Sequence, residues 1–115
     1  MHELSIANSV LEAVQTELAR RPGAAPVKVG VRVGELSGIE PNALAFSFEA
    51  LVSDSEWPAL KLEIEIVPRE HRCDGCGTVF RVVDYDFACP SCGGSHTQCV
   101  AGDELELLYL EVEEP

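Results

Sequence analysis

The chain has 115 residues, which suffices for one small core carrying an inserted module, and its 20 acidic against 8 basic residues give a net charge of −12. This negative field repels nucleic acid and anionic membranes, so basic partners and cations are the expected ligands. No apolar run approaches the roughly 20 residues that span a bilayer, and no basic segment precedes an apolar one at the start, which predicts a cytoplasmic protein without membrane insertion.

An amphipathic helix is predicted at the start of the chain. Apolar residues recur at helical spacing from Leu4 to Leu18, while polar residues fall on the other faces. Arg20 and Arg21 suit the negative end of the helix dipole, and Pro22-Gly23 interrupts the pattern. The helix is therefore expected to end near Arg21.

Two strands flank a second predicted helix. Alternate valines from Val27 to Val33 predict a strand with one buried face, and the segment from Leu60 to Ile66 repeats the pattern. Pro41 stands at a favoured first helical position, and the helix should end before Pro58. Because strand, helix and strand follow one another closely, a parallel βαβ crossover is expected. The apolar face of the helix carries Leu44, Phe48 and Leu51.

The last apolar segment, 104–112, alternates and then changes phase between Leu107 and Leu108, which predicts a third strand that is either bulged or covered on both faces. Residues 69–102 hold all five cysteines and few large apolar residues, so this stretch needs a staple to fold. The predicted class is α+β: a small mixed three-stranded sheet with two helices, formed by residues 1–68 and 103–115, interrupted by a rubredoxin-like or zinc-ribbon insertion at 69–102.

Two C-x2-C pairs predict a structural zinc site in the insertion. Twelve residues separate the pairs, and each turn brings two sulfurs together, so four thiolates can surround one ion tetrahedrally. Glycines in or beside the turns permit positive φ and let amides point at the sulfurs. Four thiolates fill the coordination shell, which disfavours a redox-active C-x2-C enzyme. The predicted zinc ligands are Cys73, Cys76, Cys89 and Cys92.

Three further donors lie near this motif. Cys99, His71 and His96 could each replace a cysteine ligand if the geometry or the redox state changed. The simpler interpretation of Cys99 is a small buried or free thiol, and that of His71 is a solvated loop side chain. For His96, a role as a metal ligand and a role as a solvated loop side chain both stay open.

The first three residues can chelate a metal. A free α-amine, the amide nitrogen of His2 and its imidazole Nδ1 close fused five- and six-membered rings, and a fourth donor can come from the Glu3 amide or a nearby side chain. A tetragonal, nitrogen-rich site suits Ni(II) or Cu(II) better than Zn(II) or Mg(II). A histidine near a frayed terminus and a carboxylate in a first helical turn are also ordinary features. From the residues alone, both interpretations stand.

Four motifs in a fixed order carry a family resemblance. Residues 1–5 read Met-His-Glu-Leu-Ser, residues 31–37 read Val-x-Val-Gly-Glu-Leu-Ser, and a Pro-x-x-Leu-x-Phe-x-Phe pattern begins at Pro41. Cys89-Pro90 stands in the second of the two cysteine pairs. Together, and over nearly the whole chain, these motifs resemble the HypA/HybF family of hydrogenase maturation nickel metallochaperones.

The resemblance implies a non-enzymatic protein that delivers Ni(II) as cargo to the [NiFe] hydrogenase large-subunit precursor, together with a nickel-handling GTPase, and in some relatives a contribution to urease maturation. It places nickel on Met1, His2 and Glu3, and structural Zn(II) on the four cysteines. Glu40 is then either a helix N-cap or an outer nickel ligand. His96 is either a solvated loop residue or an accessory nickel ligand.

The alternative is a zinc-ribbon module that binds protein or nucleic acid without nickel transfer. Nucleic-acid binding requires a basic stripe, but the arginines of the insertion, Arg69, Arg72 and Arg81, are opposed there by acidic residues. The sequence has no H-E-x-x-H motif and no visible three-ligand zinc site, which disfavours a metalloenzyme.

Overall fold

The structure is a computed structural model that describes residues 2–115, apart from the side chain of His2. It contains two α-helices, α1 (His2–Leu18) and α2 (Pro41–Ser53), and a short 3-10 turn at Glu35–Ser37. None of the described helices has the length and apolar character needed to cross a membrane. The strands are β1 (Ala25–Gly34), β2 (Lys61–Val67), β3 (Glu70–Cys73), β4 (Val79–Arg81), β5 (Thr97–Ala101) and β6 (Leu105–Glu113).

The described residues form two compact units. The first comprises the chain up to Arg32, Ile39–Glu65 and Glu106–Pro115, and it holds both α-helices with the sheet β2-β1-β6. The second comprises Val33–Gly38 and Ile66–Leu105, and it holds the sheet β4-β3-β5. The α+β class predicted from the sequence is confirmed.

The core of the first unit is apolar and draws on both helices and the central strand. Val29 and Val31 of β1 are buried, whereas Val27 at the start of that strand is 37 % exposed. The two helices pack against each other. Burial of their apolar stripes supplies most of the stability of such short helices. The buried residues of α1 and α2 are Ala7, Val10, Leu11, Val14, Leu18, Leu44, Phe48 and Val52.

Both helix predictions need a correction of detail. α1 ends at Leu18 rather than near Arg21, because the amide of Arg21 donates to the Leu18 carbonyl at 3.0 Å and tightens the chain into a turn before Gly23. In α2 the third buried residue is Val52 rather than Leu51. A step of four residues from Phe48 keeps Val52 on the buried stripe, whereas Leu51 lies at its flank.

β1 is the central strand of the first sheet. Lys28 pairs with Glu63 at 3.4 Å and Arg32 pairs with Glu65 at 3.2 Å, so contacts between β1 and β2 advance in the same direction, as the predicted parallel crossover requires. Toward β6 the direction is reversed. Arg32 pairs there with Glu106 at 3.0 Å, while Gly30 lies against Tyr109.

The phase change predicted in β6 has a structural explanation. Glu106 and Tyr109 both lie on the outer face of the sheet, where they contact residues of β1. In a regular strand, two residues that are three positions apart face opposite sides of the sheet. Leu107 lies on the opposite face, toward α1, and lines the same groove as Leu110. This pattern favours a bulge near Leu107–Leu108, one of the two alternatives, because a bulge inserts one extra residue and restores the alternation.

The second unit is held together by short antiparallel strands. β3 pairs with β4 and with β5, so that His71 lies opposite both Phe80 and Cys99. The 3-10 turn joins this sheet through the amide of Leu36, which donates to the Gly102 carbonyl at 2.6 Å, and through Glu35, whose carboxylate accepts from the Arg69 amide at 3.0 Å. The three strands have three to five residues each and were not predicted from the sequence.

Candidate metal centres

Four cysteine sulfurs converge in the second unit. The Sγ atoms of Cys73, Cys76, Cys89 and Cys92 all lie within 4.8 Å of one another, and the Cys73–Cys92 and Cys76–Cys89 pairs are each 3.5 Å apart. These are not disulfide distances, and all five cysteines are free. A tetrahedral ion with metal–sulfur bonds of about 2.3 Å needs sulfurs about 3.8 Å apart. The donor set therefore fits one tetrahedral metal ion that prefers thiolates.

The two cysteine pairs lie in matching turns. The Cys73 carbonyl accepts from the amide of Gly77 at 2.9 Å, and the Cys89 carbonyl accepts from the amide of Gly93 at 2.8 Å. Both glycines have positive φ, 78° and 74°, where an L side chain would be strained. The amide of Gly75 also donates to the Cys73 sulfur at 3.3 Å. The glycines noted in the sequence thus close the turns and solvate thiolate charge.

The four thiols are electrostatically dependent on one another. A hydrogen bond with the Thr78 hydroxyl lowers the pKa of Cys76 to about 6. At Cys92 the amide of Gly94 lowers the pKa, but hydrogen bonds with the other cysteine sulfurs outweigh it and raise the pKa to about 11. Four thiolates at these separations repel one another, so their joint ionisation requires a bound cation.

His71 is buried, with 5 % of its surface exposed, and the solvated-loop interpretation is wrong. Its Nε2 accepts from Arg69 Nε at 3.0 Å. The Thr97 hydroxyl donates to the Phe87 carbonyl at 2.8 Å, so it accepts at 3.0 Å from His71 Nδ1, which carries the proton. Burial, and then the Arg69 charge, lower the pKa of His71. Both ring nitrogens are engaged, and His71 is a neutral packing residue.

Cys99 and His96 lie outside the four-sulfur cluster. Cys99 is an exposed free thiol on β5 whose sulfur donates to the Ala101 carbonyl at 3.3 Å. The side chain of His96 is exposed, and its carbonyl accepts from the Asp74 amide at 2.9 Å. Among the residues that the structure describes, the four cysteines are the group whose potential metal-ligating atoms all lie within 4.8 Å of one another.

The predicted nickel ligands fall at the limit of the described chain. Met1 and the side chain of His2 lie outside the described residues. α1 begins at His2, so the Glu3 amide belongs to the first helical turn, where amides lack acceptors within the helix. The Glu3 carboxylate accepts a hydrogen bond from the amide of Glu40 at 3.3 Å.

Glu40 is the N-cap of α2. Its carboxylate accepts from the Ala43 amide at 2.6 Å, which satisfies one of the free donors at the helix start. Because the Glu40 amide binds the Glu3 carboxylate, the N-terminal ends of both helices carry neighbouring carboxylates. The capping interpretation is therefore observed, and the outer nickel-ligand role stays a prediction.

A comparison with protein families matches residues 1–112 to the HypA family, described as hydrogenase/urease nickel incorporation, metallochaperone. The chain belongs to the HypA family. The match includes the N-terminal motif and both cysteine pairs, and the resemblance seen in the sequence is confirmed. HypA proteins are described as metallochaperones and as maturation factors, and neither description names a catalysed reaction.

Individual HypA proteins are similar over their full lengths. The hydrogenase maturation factor HypA of Geobacter metallireducens is 39 % identical over 113 residues, covering 98 % of this chain and 100 % of that protein. The HypA of Roseiflexus sp. is 39 % identical over 115 residues, covering 99 % and 94 %. The solution structure of the Ni metallochaperone HypA from Helicobacter pylori matches with a TM-score of 0.60 and 28 % identity over 98 % of each chain.

Proposed function

We propose that this HypA protein is a nickel metallochaperone that binds Ni(II) through Met1, His2 and Glu3. The observation that carries the proposal is the family match beginning at residue 1, in a family described by nickel incorporation. The chemistry of the residues supports it, since an amine, an amide and an imidazole nitrogen suit a tetragonal Ni(II) ion. Glu40 and His96 are candidate accessory ligands.

The proposed transfer proceeds by ligand exchange. A chelate at a chain end can release its donors one at a time while the core of the first unit stays folded. The Glu3 carboxylate accepts a hydrogen bond from the amide of Glu40. The proposed nickel donors are therefore the amine, amide and imidazole nitrogens of the N-terminus, and the carboxylate is not required. The net charge of −12 raises the local concentration of cations and favours docking to a basic surface.

We further propose that the four-cysteine cluster binds one structural Zn(II). The sulfur separations fit a tetrahedral ion, and zinc prefers such a closed thiolate shell. With the shell filled by protein, the ion would stabilise the turns and leave no open position for catalysis. In this proposal residues 1–68 and 103–115 form the nickel-binding domain and residues 69–102 the zinc-binding domain.

The proposed recipient of nickel is the [NiFe] hydrogenase large-subunit precursor, and urease is a second proposed recipient. The proposed partner in this transfer is a nickel-handling maturation GTPase. We propose that the protein acts with these partners in the cytoplasm. Similar proteins are named hydrogenase maturation factors, which supports the hydrogenase assignment. The alternative, a zinc-ribbon interaction module without nickel transfer, is not favoured by any contact described above.

The function is tested by restoring hydrogenase maturation in a host strain that lacks its own HypA. The native protein should restore nickel in the purified hydrogenase large subunit. A His2→Ala variant should not, whereas Ser9→Ala, an exposed position on the same helix, should behave as the native protein. Equal nickel loading with His2→Ala would contradict the terminal chelate. Failure of the native protein to load any nickel would contradict the function itself.

A further inference from the structure

β6 lies at an edge of the first sheet. In the order β2-β1-β6 it pairs with β1 on one side, and the described chain provides no strand on the other. A free edge presents backbone N–H and C=O groups that can accept another strand. Proteins often blunt such an edge with a bulge, and the bulge inferred near Leu107–Leu108 leaves residues 109–113 of β6 beyond it.

A mainly apolar groove of about 460 Å³ runs beside this edge, between β6 and α1, and Glu17 and Arg21 also line it. Buried Val14 of α1 contributes to its lining, together with Leu107, Leu110 and Val112 of β6. Leu107 is 45 % exposed although it faces the helix side of the sheet. Apolar surface concentrated beside a free strand edge is typical of sites that take up an extended segment.

The outer face of the same strand is acidic. On this face Glu106 is paired with Arg32 of β1 at 3.0 Å. In contrast, no cation among the described residues lies within salt-bridge distance, 4.0 Å, of Glu111 or Glu113. An added strand would therefore meet apolar side chains on one face and unneutralised carboxylates on the other.

The charges of Glu111 and Glu113 distinguish between two occupants of this edge, a second copy of this chain and a basic segment of another protein. If a second copy of this chain paired through β6, Glu111 and Glu113 of both copies would lie on one face of the joined sheet. Like charges on neighbouring strands are destabilising. A segment that places basic residues on this face and apolar residues in the groove would satisfy both faces, because side chains alternate along a strand.

We propose that the free edge of β6, with its groove, binds an extended segment of a partner protein in which basic and apolar residues alternate. The segment adds a strand beside residues 109–113. Its apolar side chains enter the groove beside Leu110, and its basic side chains face Glu111 and Glu113. This docking site is separate from the proposed nickel ligands and does not depend on nickel.

The first test uses a capped synthetic peptide, Lys-Val-Lys-Leu-Lys-Val-Lys, and the zinc-containing full chain without nickel. Binding is followed by calorimetry, and amide hydrogen exchange of β6 is followed by NMR. Alternate amides within 109–113 should exchange at least tenfold more slowly when the peptide is bound, since only a paired edge protects them (about 1.4 kcal/mol per tenfold). Binding without this protection, or no binding, would overturn the proposal.

A peptide of the same composition with its four lysines in one block controls for net charge. It should bind roughly tenfold more weakly, because it cannot alternate. Equal affinity of the two peptides would mean that only the overall charge of the chain is recognised, and would overturn the proposal. Self-association through β6, seen as mutual protection of the same amides without peptide, would assign the edge to a second copy and overturn it too.

Paired variants locate the site. Glu111→Lys with Glu113→Lys should weaken binding of the alternating peptide roughly tenfold, whereas Glu49→Lys with Glu56→Lys, which changes the net charge equally at exposed positions, should weaken it by less than about threefold. An alternating Glu-Val peptide should bind the first variant better than the native chain, which shows that the variant is folded. Equal losses in both variants would contradict a site on β6.

Discussion

The amide of Glu40 donates to the Glu3 carboxylate at 3.3 Å, which links the first turn of α1 to the start of α2. The carboxylate of Glu40 in turn caps its own helix by accepting from Ala43 at 2.6 Å. Two acidic residues 37 positions apart thereby become neighbours close to the proposed nickel ligands. The acidic setting stabilises both helix starts and places negative charge where the proposed cation is bound.

Capping and nickel binding by Glu40 can be separated with two variants. Glu40→Ala removes the cap and should lower the free energy of unfolding by about 1 kcal/mol. Glu40→Asn keeps a capping oxygen and should change stability by only a few tenths of a kcal/mol. Denaturant unfolding measures the difference, and a loss as large for Asn as for Ala would contradict the capping role.

Nickel affinity of the Glu40→Asn variant then tests the accessory-ligand prediction, because asparagine lacks the carboxylate charge. A Kd that is roughly tenfold higher than that of the native chain would support a role near the metal. An unchanged Kd would leave Glu40 as a cap alone.

Zinc removal should unfold the cysteine turns. A strong chelator should release one Zn(II) per chain, and the amides of β3, β4 and β5 should lose their protection from exchange, because in this proposal the ion holds the turns. Cys73→Ser should show the same loss at ordinary zinc concentrations. Cys99→Ser is the matched control and should retain one Zn(II), since this exposed thiol lies outside the cluster. Zinc loss by Cys99→Ser, measured by elemental analysis, would contradict the assigned shell.

His71 should remain neutral with its proton on Nδ1. Its pKa is lowered by burial and by Arg69, so the stability it contributes is present above the pKa of an unfolded histidine and is lost as the pH falls through the lower folded value. Nitrogen NMR of the ring gives the tautomer and its titration. Thr97→Val should leave the buried Nδ1–H without an acceptor and destabilise the fold by about 1–3 kcal/mol. A Thr97→Val variant as stable as the native chain would contradict this arrangement.

Tyr109 should titrate at unusually high pH. Its hydroxyl donates to Glu63 at 2.7 Å, and this hydrogen bond raises the pKa of Tyr109 to about 12. The stabilisation is complete below the ordinary tyrosine value near 10 and is lost as the pH rises from there through 12. In a Tyr85→Phe background, which isolates the Tyr109 absorbance, Glu63→Gln should move the titration back toward 10.

Glu65→Gln serves as the control for the tyrosine titration. It lies on the same strand but pairs with Arg32 rather than with the tyrosine, and it should leave the titration of Tyr109 near 12. A shift of equal size with Glu65→Gln would contradict the specific hydrogen bond.

The sequence predicts what depends on local periodicity and spacing. Alternate valines from Val27 to Val33 are sufficient to indicate β1, and two C-x2-C pairs are sufficient to indicate a four-sulfur cluster, because both signals lie within short stretches of chain. Periodicity and spacing do not predict the Glu3–Glu40 contact, since 37 residues separate its partners, and only the family resemblance brings these two residues together.

Features that depend on distant partners could not be predicted in the same way. His71 is buried because Phe87 stacks on it at 5.3 Å between ring centroids and Thr97 binds its ring, and these partners come from other parts of the chain. Gly30 is a glycine in mid-strand because the Tyr109 ring covers it. The strands β3, β4 and β5, of three to five residues each, are too short to show an alternating pattern.

The most direct test of the central claim compares nickel binding by the protein with its native start and by a variant that carries one additional glycine before Met1, at equal zinc content. A second variant with one glycine after Pro115 controls for the added residue. We expect the N-terminal glycine to raise the nickel Kd on the order of a hundredfold, about 2.7 kcal/mol, because it converts the proposed chelating amine of Met1 into an amide, and we expect the C-terminal glycine to have no effect. Equal nickel affinity of all three proteins would contradict binding at the free N-terminus.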